Sequence, residues 1–282
     1  MNMVRGKKIG FIGGGQMAEA ILSGMIKGGL GQESDIYVSD ISEERLSYLE
    51  EKYKVNTLVN DPVRDTGCLK IIDTSDIVIL AIKPQYTKSI LENLKKGFWR
   101  KDQLVISIIG GVKLSFIEDY ITETPVIRVI PNTPMLVNMG ASGIALGKNA
   151  KGSDGETAMT IFNALGIGYV VDEKLIDAVT SVSGTGPAFA YMFIEAMADG
   201  GVEMGLPRAM AQSLAAQTLM GAAKMVLETG EHPGKLKDNV CSPGGATIAG
   251  VRALEQGGFR GIIMDAVEAG KVRMEEVGKK AE

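Results

Sequence analysis

The sequence has very little histidine or cysteine, and it carries no excess of positive charge. One histidine and two cysteines occur among 282 residues, which argues against histidine metal sites, Ser-His-Asp catalysis, a disulfide framework and C-x-x-C metal spacing. The formal net charge is -4, so nucleic acid and anionic membranes are not expected partners. No apolar run approaches the length of a membrane span, and we expect a cytoplasmic protein without bound metal.

The chain does have enough apolar residues for two cores. With 282 residues, 45% of them hydrophobic, it reaches the size at which a single core usually stops growing. The first half alternates short apolar segments with amphipathic ones, a pattern typical of a parallel sheet covered by helices. From about Glu173 the pattern changes to long helices rich in Ala, Met and Gly. We therefore predict an α/β domain at residues 1–171 and a helical domain at residues 172–282.

A glycine-rich turn follows the first predicted strand. Residues 8–12 lead into residues 13–18, which have the form G-x-G-x-x-A and open a helix. In the Rossmann fold the first glycine makes the tight turn, and the second lets the backbone approach a dinucleotide pyrophosphate. A second strand ends at Asp40, where an acid binds a ribose 2′-hydroxyl. This context favours a dinucleotide site over a glycine turn in some other α/β domain.

Three further apolar segments are predicted to be buried strands, at residues 77–82, 104–109 and 126–130. Each is followed by loop residues that suit a ligand site, namely Lys83-Pro84, Gly110-Gly111 and Pro131-Asn132-Thr133-Pro134. Ligands of open α/β sheets bind beyond the carboxyl ends of the strands, so these loops are expected to line one crevice with Gly13 and Gly15. The alternative is that Lys83 is a solvated loop charge and that the glycines and prolines only make turns.

A second glycine turn, within residues 237–247, opens directly into a helix near the far end of the chain. Gly244 and Gly245 lack the Cβ atoms that would bar a ligand from the backbone. The free N–H groups and the dipole of a helix start favour an anion such as a small carboxylate, and Thr247 adds a hydroxyl there. The alternative is an ordinary turn with good N-cap chemistry.

The shortage of histidine also limits the reaction. Removing a hydride from an alcohol usually needs a base such as His or Lys. The single histidine, His232, lies in a turn between helices, where we expect a structural role. A protonated imine is already a good electrophile and needs mainly a positioned hydride and a bound carboxylate. The two glycine turns are suited to those two tasks.

Five segments of the chain together resemble the pyrroline-5-carboxylate reductases. They are residues 10–18, 81–84, 128–134, 183–188 and 237–247, and the resemblance covers almost the whole chain. It implies an α/β Rossmann-type dinucleotide-binding domain followed by an all-α dimerisation domain. It also implies a homodimer interlocked through the C-terminal helices, with five dimers in a decamer. The implied reaction is reduction of Δ1-pyrroline-5-carboxylate to L-proline by NADH or NADPH, the last step of proline biosynthesis.

The resemblance also implies roles for individual residues. The dinucleotide would be held by Ile12, Gly13, Gly14, Gly15, Gln16, Met17, Ala81, Ile82, Lys83 and Pro84, with Ile109, Gly110, Gly111 and Asn239 beside its nicotinamide end. The substrate carboxylate would be bound by Ser242, Gly245, Ala246 and Thr247, while Glu173 matches a position that contacts substrate in relatives. Thr247 is the implied catalytic residue, because its hydroxyl would supply a hydrogen bond or proton to the ring nitrogen.

One position differs from relatives that prefer NADPH. They have a small polar residue where this chain has Asp40. A carboxylate there repels a 2′-phosphate and accepts hydrogen bonds from a 2′-hydroxyl, so we expect NADH to be preferred. Arg45, about one turn into the next helix, can swing to a phosphate instead. Asn60 is expected on the adenosine side of the site.

Two other functions share parts of this pattern. A β-hydroxyacid dehydrogenase has the same domain order, but it carries a catalytic Lys and an Asn where this chain has Ala190 and Phe193. A non-catalytic nucleotide sensor would bind NAD(H) without needing the carboxylate turn. Oxidation of the cofactor by an imino acid separates these alternatives.

The small residues of the C-terminal helices exceed what one core needs, so we expect them to pack against a second subunit.

Overall fold

The computed structural model describes the backbone of residues 3–281 and the side chains of residues 3–278. The chain forms two compact units. The first runs to Gly184 and resumes at Gly270, and the second spans Thr185–Ala269. Among the described residues, no helix has both the length and the apolar character needed to cross a membrane.

The described part of the first unit contains one sheet of eight strands. They are β1 (Ile9–Ile12), β2 (Ile36–Asp40), β3 (Asn56–Val59), β4 (Ile77–Leu80), β5 (Leu104–Ser107), β6 (Val126–Ile130), β7 (Gly140–Leu146) and β8 (Gly166–Val170). Their spatial order is β3-β2-β1-β4-β5-β6-β7-β8, and every neighbouring pair is parallel except β6 with β7. The strand numbers fall from β3 to β1 and rise from β4 onward, so the winding of the sheet reverses between β1 and β4. Doubly wound sheets bind their ligands at such a point.

Seven helices lie entirely within the described part of the first unit. They are α1 (Gln16–Lys27), α2 (Glu43–Tyr53), α3 (Thr66–Thr74), α4 (Thr87–Leu94), α5 (Leu114–Glu118), α6 (Gly152–Asn163) and α7 (Ile176–Val179). Alternate residues of β4 belong to different apolar clusters, with Ile77 and Ile79 in one and Val78 and Leu80 in the other. The sheet is therefore buried on both faces, as the continuous apolar run of residues 77–80 predicts.

The predicted parallel pairing is confirmed for the strands β1, β2, β4, β5 and β6. Three strands, β3, β7 and β8, are not predicted from the sequence. β3 and β8 are edge strands with mostly exposed or half-buried residues, so neither shows a strong apolar pattern. β7 is buried but consists mainly of Gly, Ala and Ser. Such small residues carry little strand preference of their own, so it is the pairing with β6 and β8 that makes the segment extended.

The second unit is helical. Its helices are α8 (Gly186–Glu203), α9 (Arg208–Thr229), α10 (Pro233–Asn239), α11 (Ala246–Gln256) and the first part of α12 (Phe259–Ala281). Among the described residues, its buried apolar cluster consists only of Ala198, Ala211 and Ala215. Many larger apolar side chains are exposed in the single chain, including Tyr191, Met192, Met204, Leu227 and Met264. One chain alone therefore leaves most of the apolar surface of this unit uncovered.

Candidate active site

The turn after β1 comes very close to the loop after β4. Gly13 has a φ of +99°, and a Cβ built on it would lie 2.6 Å from the carbonyl oxygen of Ala81. Only glycine suits this position, because a side chain would meet rigid backbone. A Cβ on Gly15 would instead meet nothing within 4 Å. The backbone at Gly15, where α1 begins, is therefore open to an anionic ligand.

Asp40 lies at the end of β2, and its carboxylate binds two backbone N–H groups. Oδ2 accepts a hydrogen bond from the Gly14 nitrogen at 2.7 Å, and Oδ1 accepts one from the Ser42 nitrogen at 2.9 Å. These bonds hold the carboxylate against the glycine turn, where the Rossmann fold places the ribose of a dinucleotide. The position of Asp40 thus fits a 2′-hydroxyl ligand.

Arg45 and Glu19 form an ion pair beside the same turn. Arg45 Nε donates to the Gly14 carbonyl at 2.6 Å, and an Arg45 terminal nitrogen lies 2.5 Å from Glu19 Oε2. Glu19 Oε1 also accepts hydrogen bonds from three further side chains, those of Tyr48, Lys52 and Tyr53. Burial raises the pKa of Glu19, but these hydrogen bonds outweigh it and lower the pKa from 4.5 to about 2. Arg45 is therefore held by an ionised carboxylate.

Asn60 lies next to Asp40, with both ends of its side-chain amide bound to the protein. Its backbone nitrogen donates to the Asp40 carbonyl at 2.9 Å. Its Nδ2 donates to Asp65 Oδ1 at 2.7 Å, and its Oδ1 accepts from the Cys68 nitrogen at 3.1 Å. Asn60 therefore shapes the start of α3. Burial raises the pKa of the neighbouring Cys68 thiol to about 12. That thiol is therefore inert as a nucleophile.

The carboxyl ends of β1, β4 and β5 are joined by backbone hydrogen bonds. Ala81 donates to the Ile12 carbonyl at 2.8 Å, and Ile108 donates to the Leu80 carbonyl at 3.0 Å. Lys83 follows as an exposed residue. This edge brings together most of the cofactor residues expected from the sequence: Ile12, Gly13, Gly14, Gly15, Gln16, Met17, Asp40, Ala81, Ile82, Lys83, Pro84, Ile109, Gly110 and Gly111.

Glu173 binds groups within the first unit. Its Oε1 accepts a hydrogen bond from the Leu114 nitrogen at 2.7 Å and lies 3.2 Å from a terminal nitrogen of Arg128. The Arg128 side chain is 3% exposed, and its other terminal nitrogen lies 3.4 Å from Asp177 Oδ1. Two carboxylates thus neutralise a buried cation. Sequence reasoning missed this cluster, although a lone arginine within the apolar strand of residues 126–130 is the signal of a buried ion pair.

Asn132 connects the end of β6 to the segment before α8. Its Nδ2 donates to the Ser183 carbonyl at 2.9 Å, and its Oδ1 accepts from the Ala141 nitrogen at 2.9 Å. Ser183 lies in a π-helical turn, Thr180–Gly184. Such turns are rare and occur often at functional sites. The loop of residues 131–134 therefore supports this turn, in addition to ending a strand.

In the second unit, the predicted carboxylate turn leads directly into α11. The Gly245 nitrogen donates to the Ser242 carbonyl at 3.0 Å, and a Cβ on Gly245 would lie 2.3 Å from Ser242 Oγ. Ala246 and Thr247 are the first two residues of α11, and both are exposed. Ser242, Thr247 and the first N–H groups of α11 therefore belong to one exposed segment at a helix start, which suits a small carboxylate.

Two more predicted residues lie at the ends of α10. Asn239 is its last residue and is exposed. His232 precedes its first residue and caps the helix, with Nδ1 accepting a hydrogen bond from the Gly234 nitrogen at 3.0 Å. The expected structural role of His232 is confirmed by this cap.

Two family models match the chain. The model described as pyrroline-5-carboxylate reductase dimerisation matches residues 173–277, and the model described as NADP oxidoreductase coenzyme F420-dependent matches residues 8–111. The pyrroline-5-carboxylate reductase of Methanosarcina acetivorans is 48% identical over 275 residues, which are 97% of this chain and 99% of that protein. The enzyme of the same name from Escherichia coli is 40% identical over 274 residues, with 97% and 99% covered.

Solved structures agree with these relatives. A pyrroline-5-carboxylate reductase from Coxiella burnetii is 34% identical, has a TM-score of 0.86, and aligns over 96% of this chain and 98% of its own. A pyrroline carboxylate reductase from Plasmodium falciparum with NADP bound is 32% identical, has a TM-score of 0.84, and aligns over 97% and 98%. The expected fold class, an α/β Rossmann-type domain followed by an all-α dimerisation domain, is thus confirmed. The chain belongs to the pyrroline-5-carboxylate reductase family, whose members are NAD(P)-dependent oxidoreductases.

Proposed function

We propose that this chain reduces Δ1-pyrroline-5-carboxylate to L-proline by hydride transfer from NAD(P)H, the final step of proline biosynthesis. The observation that carries the proposal is the turn before α11, which presents the Ser242 and Thr247 hydroxyls at a helix start. Identity of 48% to a reductase of this name over 97% of the chain supports it. Residues 1–171 hold the dinucleotide, and residues 172–282 bind the imino acid and a second subunit.

The first unit fits a dinucleotide. Gly15 leaves open space beside the start of α1, and Asp40 lies against the same turn. The dinucleotide, when bound, supplies the hydride. Its proposed contacts are the sequence-predicted residues: Ile12, Gly13, Gly14, Gly15, Gln16, Met17, Asp40, Asn60, Ala81, Ile82, Lys83, Pro84, Ile109, Gly110, Gly111 and Asn239.

The substrate carboxylate is bound at the start of α11. Ser242, Gly245 and Ala246 surround it with a hydroxyl and backbone N–H groups, and the helix dipole favours its charge. As the imine carbon accepts the hydride, the Thr247 hydroxyl donates a hydrogen bond or proton to the ring nitrogen. Glu173 is a proposed substrate contact whose Oε1 already accepts hydrogen bonds from Leu114 and Arg128.

We propose that NADH is preferred to NADPH. The Asp40 carboxylate accepts hydrogen bonds from a ribose 2′-hydroxyl, and it repels the two negative charges of a 2′-phosphate. Arg45 is the side chain expected to offset this repulsion, but it is paired with Glu19. The preference for NADH therefore depends on the Asp40 carboxylate, which faces the ribose, and on the pairing of Arg45 with Glu19.

We propose a homodimer formed through the C-terminal helices, with five dimers in a decamer, located in the cytoplasm. The support is the uncovered apolar surface of the second unit, where Met192 is 68% and Met264 71% exposed in the single chain. Apolar surface of this extent is typical of subunit interfaces. Analytical ultracentrifugation gives the mass directly, and a monomer at micromolar concentration would contradict the dimer.

The reaction is tested by following nicotinamide absorbance when purified protein is mixed with pyrroline-5-carboxylate and either NADH or NADPH. Rapid oxidation with NADH, and slower oxidation with NADPH, is expected. Piperideine-6-carboxylate, with one more methylene, serves as the competing substrate, because one methylene changes binding by about 1–3 kcal/mol. No oxidation of either cofactor by a protein that binds NADH would contradict the proposed reaction and favour a nucleotide sensor.

A further inference from the structure

We propose that Glu19 determines cofactor specificity by holding Arg45 on the carbonyl groups of the glycine turn, so that its guanidinium is withheld from the 2′-phosphate of NADPH. The inference rests on the proposed dinucleotide site and its NADH preference. It assigns a positioning role to a residue of α1 that does not belong to the glycine motif itself.

The contacts of Arg45 show how it is held. Its Nε donates to the Gly14 carbonyl at 2.6 Å, and one terminal nitrogen lies 3.4 Å from the Gly15 carbonyl and 2.5 Å from Glu19 Oε2. The guanidinium also lies 5.0 Å from the centre of the Tyr48 ring. Charge-assisted hydrogen bonds are about twice as strong as neutral ones. Turning Arg45 toward a phosphate would break the bond to Glu19 and both carbonyl contacts.

Glu19 is itself immobilised. Its Oε1 accepts hydrogen bonds from the Tyr48 hydroxyl at 3.0 Å, the Lys52 ammonium at 3.1 Å and the Tyr53 hydroxyl at 2.8 Å. Its Oε2 is left for Arg45, and its side chain is only 13% exposed. Because both oxygens are bound, Glu19 does not turn away to release Arg45.

The two acids at this site then have different tasks. Asp40 lies against the Gly14 nitrogen and faces the ribose with negative charge. Glu19 pairs with Arg45, the cation that a 2′-phosphate would need. Replacing Asp40 removes the repulsion, whereas replacing Glu19 releases a binding partner, so the two substitutions are expected to act separately on NADPH.

The test measures dissociation constants for NADH and NADPH from nicotinamide fluorescence, with no substrate present. In Glu19→Gln, the affinity for NADPH relative to NADH is expected to rise about tenfold, because one charge-assisted bond to Arg45 is lost. The double variant Glu19→Gln with Arg45→Met is expected to lose this gain. Lys52→Met is the matched control: it removes another partner of Glu19 but leaves Arg45 paired, so the ratio should not change.

Arg45→Met alone gives a second test that does not depend on the folding of the Glu19 variant. If Arg45 is withheld, its removal leaves the affinity for NADPH relative to NADH unchanged, even if loss of its contacts with the Gly14 and Gly15 carbonyls weakens both dinucleotides equally. A fall in that ratio would show that Arg45 already reaches the phosphate and would overturn the inference. An unchanged ratio in a folded Glu19→Gln protein, or a gain that persists in the double variant, would overturn it too.

These failures are distinct from a failure of the proposed function. If the unmodified chain binds NADH and oxidises it with pyrroline-5-carboxylate, while the Glu19 and Arg45 variants behave against expectation, only the specificity role of Glu19 is wrong. Binding of neither dinucleotide by the unmodified chain would overturn the proposed function, and the inference with it.

Discussion

A terminal nitrogen of Arg128 lies 3.2 Å from Glu173 Oε1, and the arginine side chain is almost completely buried. Arg128 lies in the middle of β6, whereas Glu173 follows β8 and also accepts a hydrogen bond from the start of α5. Asp177 provides the second negative charge at 3.4 Å. The pair therefore ties the sheet to the segment that leads to the helices of the second unit.

Replacing Glu173 by Ala is expected to destabilise the protein. The substitution leaves the buried Arg128 with one carboxylate partner and the Leu114 N–H without its acceptor, which costs about 1–3 kcal/mol. The measurement is the free energy of unfolding in denaturant at fixed protein concentration. Asp172→Asn is the control. Among the residues that the structure describes, the Asp172 side chain pairs with Lys174 at the surface, and an Asn in its place also caps a helix. Equal stability of the two variants would contradict the structural role of Glu173.

Replacing Asp40 by Ser is expected to shift cofactor preference toward NADPH. Loss of the carboxylate removes its repulsion of the 2′-phosphate and its hydrogen bonds to the 2′-hydroxyl. We expect kcat/KM for NADPH relative to NADH to rise about 10- to 100-fold. Steady-state rates with both cofactors give this ratio. An unchanged ratio in a protein with an unaltered melting temperature would show that the electrostatic explanation is wrong.

Replacing Gly245 by Ala is expected to weaken substrate binding. A Cβ there would lie 2.3 Å from Ser242 Oγ, so the serine must leave the position from which we propose that it binds the carboxylate. Steric changes of this kind cost about 1–3 kcal/mol, so KM for the imino acid should rise about 5- to 140-fold while the dissociation constant of NADH stays constant. Gly250→Ala is the control in the same helix, because a Cβ there meets nothing within 4 Å. A similar KM in both variants would contradict the prediction.

Replacing Thr247 by Val is expected to slow the chemical step. Valine keeps the shape of threonine but removes the hydroxyl that we assign to the ring nitrogen. Loss of a proton donor or hydrogen-bond donor in the transition state lowers kcat about 100-fold or more. Thr247→Ser retains a hydroxyl and should retain most of the activity. Single-turnover rates at saturating NADH measure the step, and full activity of the valine variant would exclude Thr247 from it.

The ionised state of Glu19 predicts a particular pH dependence of stability. Hydrogen bonds lower its folded pKa to about 2, against 4.5 for an unperturbed glutamate. A lowered folded pKa contributes stability that is fully present above pH 4.5 and is lost as the pH falls toward 2. The stability advantage of the unmodified chain over Glu19→Gln should therefore be constant at neutral pH and should shrink in acid. Denaturation midpoints of both proteins at about pH 7, 5 and 3 measure this difference in stability. A difference that does not change with pH would contradict the ionised state of Glu19.

The sequence alone was sufficient for the family, the order of the two kinds of domain, and the positions of the glycine turns. The reason is that these features are local. The turn of residues 13–15 follows an apolar strand and opens a helix. Its Gly13 has a positive φ, which glycine adopts more easily than any other residue. The turn before α11 is equally local, since Gly245 and Ser242 are three residues apart.

Only the tertiary structure decided which side chains from distant segments of the chain meet. Arg45 and Glu19 lie on different helices, and Arg128 meets Glu173 across a separation of 45 residues. Asn60 looks like a loop residue in the sequence, yet its amide is bound by Asp65 and Cys68. The Arg45–Glu19 and Arg128–Glu173 pairs depend on the order in which strands are placed in the sheet, which brings distant segments together. Local pattern therefore predicts where ligands bind, whereas long-range packing determines how the charges around those positions are held.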